Sequence, residues 1–178
     1  MKYSYNCNFI LKNFILNYNE WAGCFFYPSK FTGMIRKIET SDYQNLIQIW
    51  ESAVLNTHDF LKEEDFNYYK AQIPTYFEHV VLLGYEENGV LVAFMGIAGE
   101  NLEMLFIHND FRGRGIGKQL IYHAIKHLEV AKVDVNEQNI QAVDFYKHIG
   151  FKVLERSALD GQGKEYPILH MGLEAKSY

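Results

Sequence analysis

Cysteine is almost absent from this 178-residue chain: Cys7 and Cys24 are the only two, both within the first 33 residues. From Met34 onward there is no thiol, so the main body offers neither a cysteine nucleophile nor a thiolate metal ligand. A Cys7–Cys24 disulfide could not staple the rest, and such sparse usage suits the reducing cytoplasm. Long apolar runs are missing too. No uninterrupted stretch of about 18 apolar residues occurs, so neither a transmembrane helix nor a membrane partner is expected. Basic charge is short: 17 Lys and Arg face 22 Asp and Glu, a net charge of −5 with no basic block. That argues against a nucleic-acid partner. The seven histidines form no H-E-x-x-H motif or Cys/His cluster, so no metal site is expected. Internal repeats and low-complexity segments are lacking as well.

What is present is a chain with 48% apolar and 22% charged residues, the balance of a folded domain with its own core. Composition changes abruptly near Met34. Ten of the first 33 residues are aromatic and five are Asn, against 18 aromatics in the following 145. The stretch "NFILKNFILNYNEW" is interrupted by Lys12, Asn13, Asn17 and Asn19 and lacks the apolar core and small-residue cleavage site of a signal peptide. Residues 1–33 therefore read as an atypical leader, an appendage or a start-site artefact, with an extra packed helix as the alternative. Residues 34–178 are the functional domain, expected as a monomer or homodimer.

Beyond Met34 the pattern is orderly. A strand at about 34–38 precedes a helix capped by Thr40 or Ser41, with Leu46, Ile47, Ile49 and Trp50 on its apolar side. "NTHDFL" ends it, and a second helix covers about Glu63–Tyr69, with a resumption after Pro74 as the open alternative. "VVLLGYEENGVLVAFMGIAG" reads as a hairpin around Asn88-Gly89, the strongest short turn signal. A fourth strand, "LEMLFI" (102–107), leads into "DFRGRGIGKQLIYHAI", whose Ile116, Leu120, Ile121, Ala124, Ile125 and Leu128 recur at helical spacing. A fifth strand, a helix ending at Gly150 and two strands around "DGQG" complete the order β-α-α-β-β-β-α-β-α-β-β. A hairpin mixed with βαβ crossovers implies an α/β fold with a mixed sheet flanked by helices.

The glycine segment, with Arg112, Arg114 and Lys118, looks shaped for an anion. It fails the dinucleotide pattern, because Lys118 holds the third glycine position. It fails the P-loop, because Arg112 and Gln119 occupy required positions and no hydroxyl remains to hold Mg²⁺. It does fit Q/R-x-x-G-x-G/A as Arg112-x-x-Gly115-x-Gly117, in which small residues let backbone N–H groups converge on a phosphate at a helix N-terminus.

Together with "WESAVLNTHDFL", "LFIHNDFRGRGIGK", "VNEQNIQAVDFYKHIGFKV" and "GKEYPIL", this segment resembles the GNAT superfamily of N-acetyltransferases over about Met34 to Leu173. The bacterial YjaB-like branch is nearest, and its members are described as protein-lysine acetyltransferases. The resemblance implies a GNAT-like fold with splayed central strands and acetyl-CoA as co-substrate. It places the CoA pyrophosphate on Arg112, Gly113, Arg114, Gly115, Ile116, Gly117 and Lys118, and the pantetheine arm beside Leu105, Phe106 and Ile107. Asn139 would touch that arm, and Tyr146 would protonate the departing thiolate. Asn109 departs from the family, where proline commonly follows the fourth strand.

By helical spacing alone Tyr146 is a core residue, beside Ala142, Val143, Phe145 and Ile149; the resemblance reverses that reading. Asn139 also suits a helix N-cap. Glu103 and His58 are the candidates for general base, against bland readings as a solvated edge carboxylate and a helix-ending turn. His58 and Asp59 are expected on the acceptor side, Asp59 otherwise capping the next helix. With no cysteine and no G-x-S-x-G elbow in the main body, acetyl transfer to a primary amine, of a protein lysine or a small molecule, is expected to be direct. A non-catalytic acyl-CoA sensor is the rival.

Overall fold

The computed structural model describes residues 33–174; the readings of the leader and its cysteines lie outside the described residues. The chain runs β1 (Gly33–Lys37), α1 (Tyr43–Leu55), α2 (Glu63–Phe77), β2 (Val81–Glu87), β3 (Val90–Ala98) and β4 (Asn101–Ile107). It continues with α3 (Ile116–His127), β5 (Lys132–Asn136), α4 (Ile140–Ile149), β6 (Lys152–Ser157) and β7 (Ile168–Gly172). This is the expected order, and it builds the expected α/β fold. The strands form one sheet ordered β1-β2-β3-β4-β5-β7-β6, antiparallel except where β4 meets β5. Asn88 and Gly89 both take positive φ (54° and 78°), the tight turn the hairpin needs.

Strand alternation sends neighbouring residues to opposite faces, and each face is covered by a helix pair. Leu82 and Phe94 pack with Leu46, Ile49, Trp50, Ile73 and Phe77 of α1 and α2. Leu83, Ala93 and Met95 pack with Leu120, Ile121 and Ala124 of α3 and Val143 of α4. Fully burying one such large side chain contributes roughly 1.5–3 kcal/mol, so the two clusters hold the layers together.

Two local expectations are corrected. Helix α2 is continuous through Pro74. The ring removes one amide donor, but Ile73 and Phe77 on either side are buried and their packing carries the helix past it. Neither Thr40 nor Ser41 caps α1; both are exposed within a 3-10 turn, Thr40–Asp42. Asp42 instead accepts the Glu39 amide (3.0 Å) and two bonds from Arg36 (2.7 and 3.0 Å).

Candidate active site

The glycine segment joins β4 to α3. Gly113 and Gly115 have φ of 74° and 80°, and a Cβ on either would meet nothing within 4 Å. Glycine is needed there for backbone conformation rather than for space. Gly117 differs: its Cβ would stand 3.2 Å from Ile107 Cδ1 and 3.5 Å from Phe145 Cζ, so it lets α3 approach β4 and α4. The first bond of α3 runs from the Gln119 amide to the Gly115 carbonyl (3.1 Å). The amides of Ile116, Gly117 and Lys118 therefore have no helical acceptor, and they carry the positive end of the helix dipole.

These residues wall a cavity of about 330 Å³ with Leu105, Phe106 and Ile107 on one side and Asn139 and Tyr146 on the other. No carboxylate lines it, whereas Arg112 and Lys118 do. Free amides, a helix N-terminus and two cations fit a pyrophosphate, so these residues suit acetyl-CoA. Arg114 does not belong to this wall. Its guanidinium turns to Glu87 (3.2 Å) and the Asp110 carbonyl (2.8 Å) and lies over the Phe111 ring. The reason is Glu87, a buried carboxylate that needs a cation. Arg112 donates to Gln141 (2.7 Å), a partner the sequence did not flag.

The slot exists because the sheet opens. β3 and β4 pair along their lengths, but β4 pairs with β5 only at Asn101–Lys132 and Leu102–Val133. Past Leu102 the β5-facing edge of β4 has no strand partner among the described residues. The register slips at this place, because Gly96 faces Met104 while Ile97 faces Leu102. Glu103 is thus the extra residue of a β-bulge, a device that bends a strand and ends pairing. Nothing in its sequence neighbourhood announced it.

Tyr146 is 6% exposed, stacked edge-on to Phe145 and Phe151, and it also lines the cavity. Core packing and access to the slot coexist in one side chain. Burial holds its phenol protonated well above the ordinary range. Asn139 caps α4 as expected, accepting the Ala142 amide (3.1 Å). Asn109 uses the N–H that a proline would lack, donating to Ser52 Oγ of α1 (3.1 Å).

A second cavity, of about 490 Å³, lies between α1, α2 and the β6–β7 connection and shares His58 and Phe106 with the first. His58 Nδ1 is 2.7 Å from Thr57 Oγ1, whose own hydroxyl donates to the Ala53 carbonyl (2.9 Å). The hydroxyl proton is thereby committed, so the threonine oxygen accepts Nδ1–H and the lone pair is left on Nε2. Burial, with Arg112 nearby, lowers His58 to about 4, so the ring is neutral at pH 7. Glu103 lines only this second cavity and accepts from Asn101 (2.8 Å). Asp59 lines neither cavity and does not cap α2, whose N-cap is Lys62.

The β6–β7 connection is tied to α2. Tyr69 donates to Asp160, Lys164 and Tyr166 both bond Asp65, and Gln162 bridges Tyr68 (3.2 Å) and Tyr76 (3.0 Å). Lys164 holds Asp65 below the usual carboxylate range, with Tyr166 adding to the effect. Among the described residues no cluster of three His, Cys, Asp or Glu could hold a metal, and no helix is long and apolar enough to cross a membrane.

Residues 42–172 match the family described as Acetyltransferase (GNAT) domain. The peptidyl-lysine N-acetyltransferase YjaB of Salmonella typhimurium is 40% identical over 142 residues, which cover 77% of this chain and 95% of that protein. The solution structure of apo-form YjaB from Escherichia coli superposes with a TM-score of 0.74 at 37% identity, over 79% of this chain and 97% of the other. The PaiA N-acetyltransferase of Thermoplasma acidophilum, solved with coenzyme A, shares the fold at a TM-score of 0.62 and 21% identity, over 80% of this chain and 99% of its own.

Proposed function

The chain belongs to the GNAT acetyltransferase family, whose members use acetyl-CoA to acetylate amines, and on that premise we propose that it moves the acetyl group directly to a primary amine within a ternary complex. The observation that carries this reading is the junction of the two cavities at His58 and Phe106. Acetyl-CoA would lie in the smaller one, its pyrophosphate on the amides from Gly113 to Lys118 and its arm along the free edge of β4. The amine would enter through the larger one.

The attacking nitrogen forms its bond to the thioester carbon, and the carbon–sulfur bond breaks. An N–H of the free β4 edge polarises the carbonyl oxygen. Tyr146 gives its proton to the departing sulfur. Of the two base candidates, His58 is favoured over Glu103 because it alone borders both cavities, with a lone pair on Nε2. The relatives' name makes a protein lysine one acceptor to consider and a small amine the other.

Incubating the full chain with acetyl-CoA and an amine panel, while following thiol release and product mass, tests the proposal. Acetylated amine and free CoA in equal amounts are expected. Tight acetyl-CoA binding with no transfer to any amine would leave the sensor reading instead.

A further inference from the structure

The larger cavity has a chemistry of its own. Trp50, Phe60, Phe106, Tyr69, Tyr76 and Tyr166 give it an aromatic wall, and its volume of about 490 Å³ lies in the range of small-molecule sites. The phenols of Tyr69 and Tyr166 donate to Asp160 and Asp65, so these two present ring faces and edges; Tyr76 accepts from Gln162 Nε2 (3.0 Å) and keeps its own proton to donate. Two carboxylates, Glu103 and Asp160, line the cavity together with two histidines, His58 and His79, and no Lys or Arg does. His58 is neutral at pH 7. The β6–β7 connection contributes Asp160 and Tyr166 to the cavity wall, and Asp160 also braces that connection by accepting the amides of Gln162 (2.9 Å) and Lys164 (2.8 Å).

We propose that the acceptor is a small primary amine with an aromatic-sized apolar body and no carboxylate. This rests on the acetyltransferase reading above and narrows it. A ring would cover the aromatic wall, whereas a lysine brings only a thin methylene stem and leaves most of that wall uncovered. Two carboxylates with no Lys or Arg beside them attract an ammonium and repel the carboxylate of a free amino acid. The ring faces add attraction for a cation on its way to the junction. There the amine sheds a proton and attacks, as described above, and the ring stays behind in the larger cavity.

The experiment compares phenethylamine and tryptamine with phenylalanine, tryptophan and a lysine-containing peptide, using the full chain, saturating acetyl-CoA and thiol release. The arylalkylamines should exceed both other classes in kcat/KM by at least tenfold. Asp160→Asn keeps the shape and one oxygen to accept the Gln162 and Lys164 amides while removing the charge, the Tyr69 hydroxyl turning to accept from the new amide; it should raise KM for tryptamine severalfold and leave acetyl-CoA affinity, read by calorimetry, unchanged. Equal or better turnover of the lysine peptide or the amino acids would overturn the acceptor assignment while leaving the acetyltransferase reading intact. An unchanged KM in Asp160→Asn would overturn the part assigned to that carboxylate. Acetyl-CoA binding with no transfer to any of the five would overturn this assignment together with the reading beneath it.

Discussion

Tyr146 can be separated from its packing role because phenylalanine keeps the ring that meets Phe145 and Phe151. Tyr146→Phe should lower turnover by roughly 10²–10⁴-fold, nearer the smaller value because a thiolate leaves fairly well unaided. Acetyl-CoA affinity should hardly move; full turnover with chemistry rate-limiting would return Tyr146 to the core. Gly115→Glu should abolish acetyl-CoA binding in a calorimetric titration. It forces a side chain onto a φ of 80° and puts a negative charge where the phosphate would lie. Retained affinity would remove the phosphate cradle. His58 makes a prediction about pH. Its folded value is about 4 against 6.5 ordinarily, so between those values the unfolded chain binds the extra proton. Stability is therefore whole above about pH 6.5 and falls as the pH drops toward 4, by at most ~3 kcal/mol. His58→Asn should flatten the melting temperature over that window, and an unchanged slope would place the acid sensitivity elsewhere.

Helix α2 carries a cost at Pro74 that packing offsets. Pro74→Ala restores the missing amide next to Ile73 and should raise stability by about 1 kcal/mol, as long as Ile73 and Phe77 stay seated. A lower melting temperature would mean that the ring itself packs or shapes the helix. At the other end of the sheet, Ser157 Oγ meets His170 Nε2 (2.7 Å) and His170 Nδ1 meets Asp134 (2.7 Å). The order of bonds resembles an acyl-transfer triad, yet none of the three lines either cavity, and the His170 and Asp134 side chains are 35% and 44% exposed. It is a polar ladder joining β6, β7 and β5.

For the whole molecule, the family match begins at residue 42, and the Salmonella relative is covered over 95% of its own length by 77% of this chain. A chain beginning at Met34 should fold cooperatively and bind acetyl-CoA as the full chain does, within about twofold in affinity. Calorimetry and a thermal melt decide it; an insoluble product, or one melting far lower, would make residues 1–33 part of the folded unit.

The elements and their order were readable because each rests on local physics. Period-3.6 apolar spacing marks α3, Asn88-Gly89 marks the hairpin, and Asn139 and Gly150 mark the ends of α4. The glycine turn was readable for the same reason, since Gly113 and Gly115 shape their own backbone. What only the tertiary structure decided depends on partners far along the chain. Arg112 and Arg114 look equivalent in sequence, yet a buried carboxylate 27 residues away takes Arg114 out of the site. The slip that frees Glu103 arises from pairing with β3, not from its neighbours. The second cavity takes one wall from the β6–β7 connection, held by Lys164 meeting Asp65 across 99 residues, a contact that exists only once that connection docks on α2. Local pattern encodes helices and turns; which side chains meet across the sheet is set by how those pieces pack.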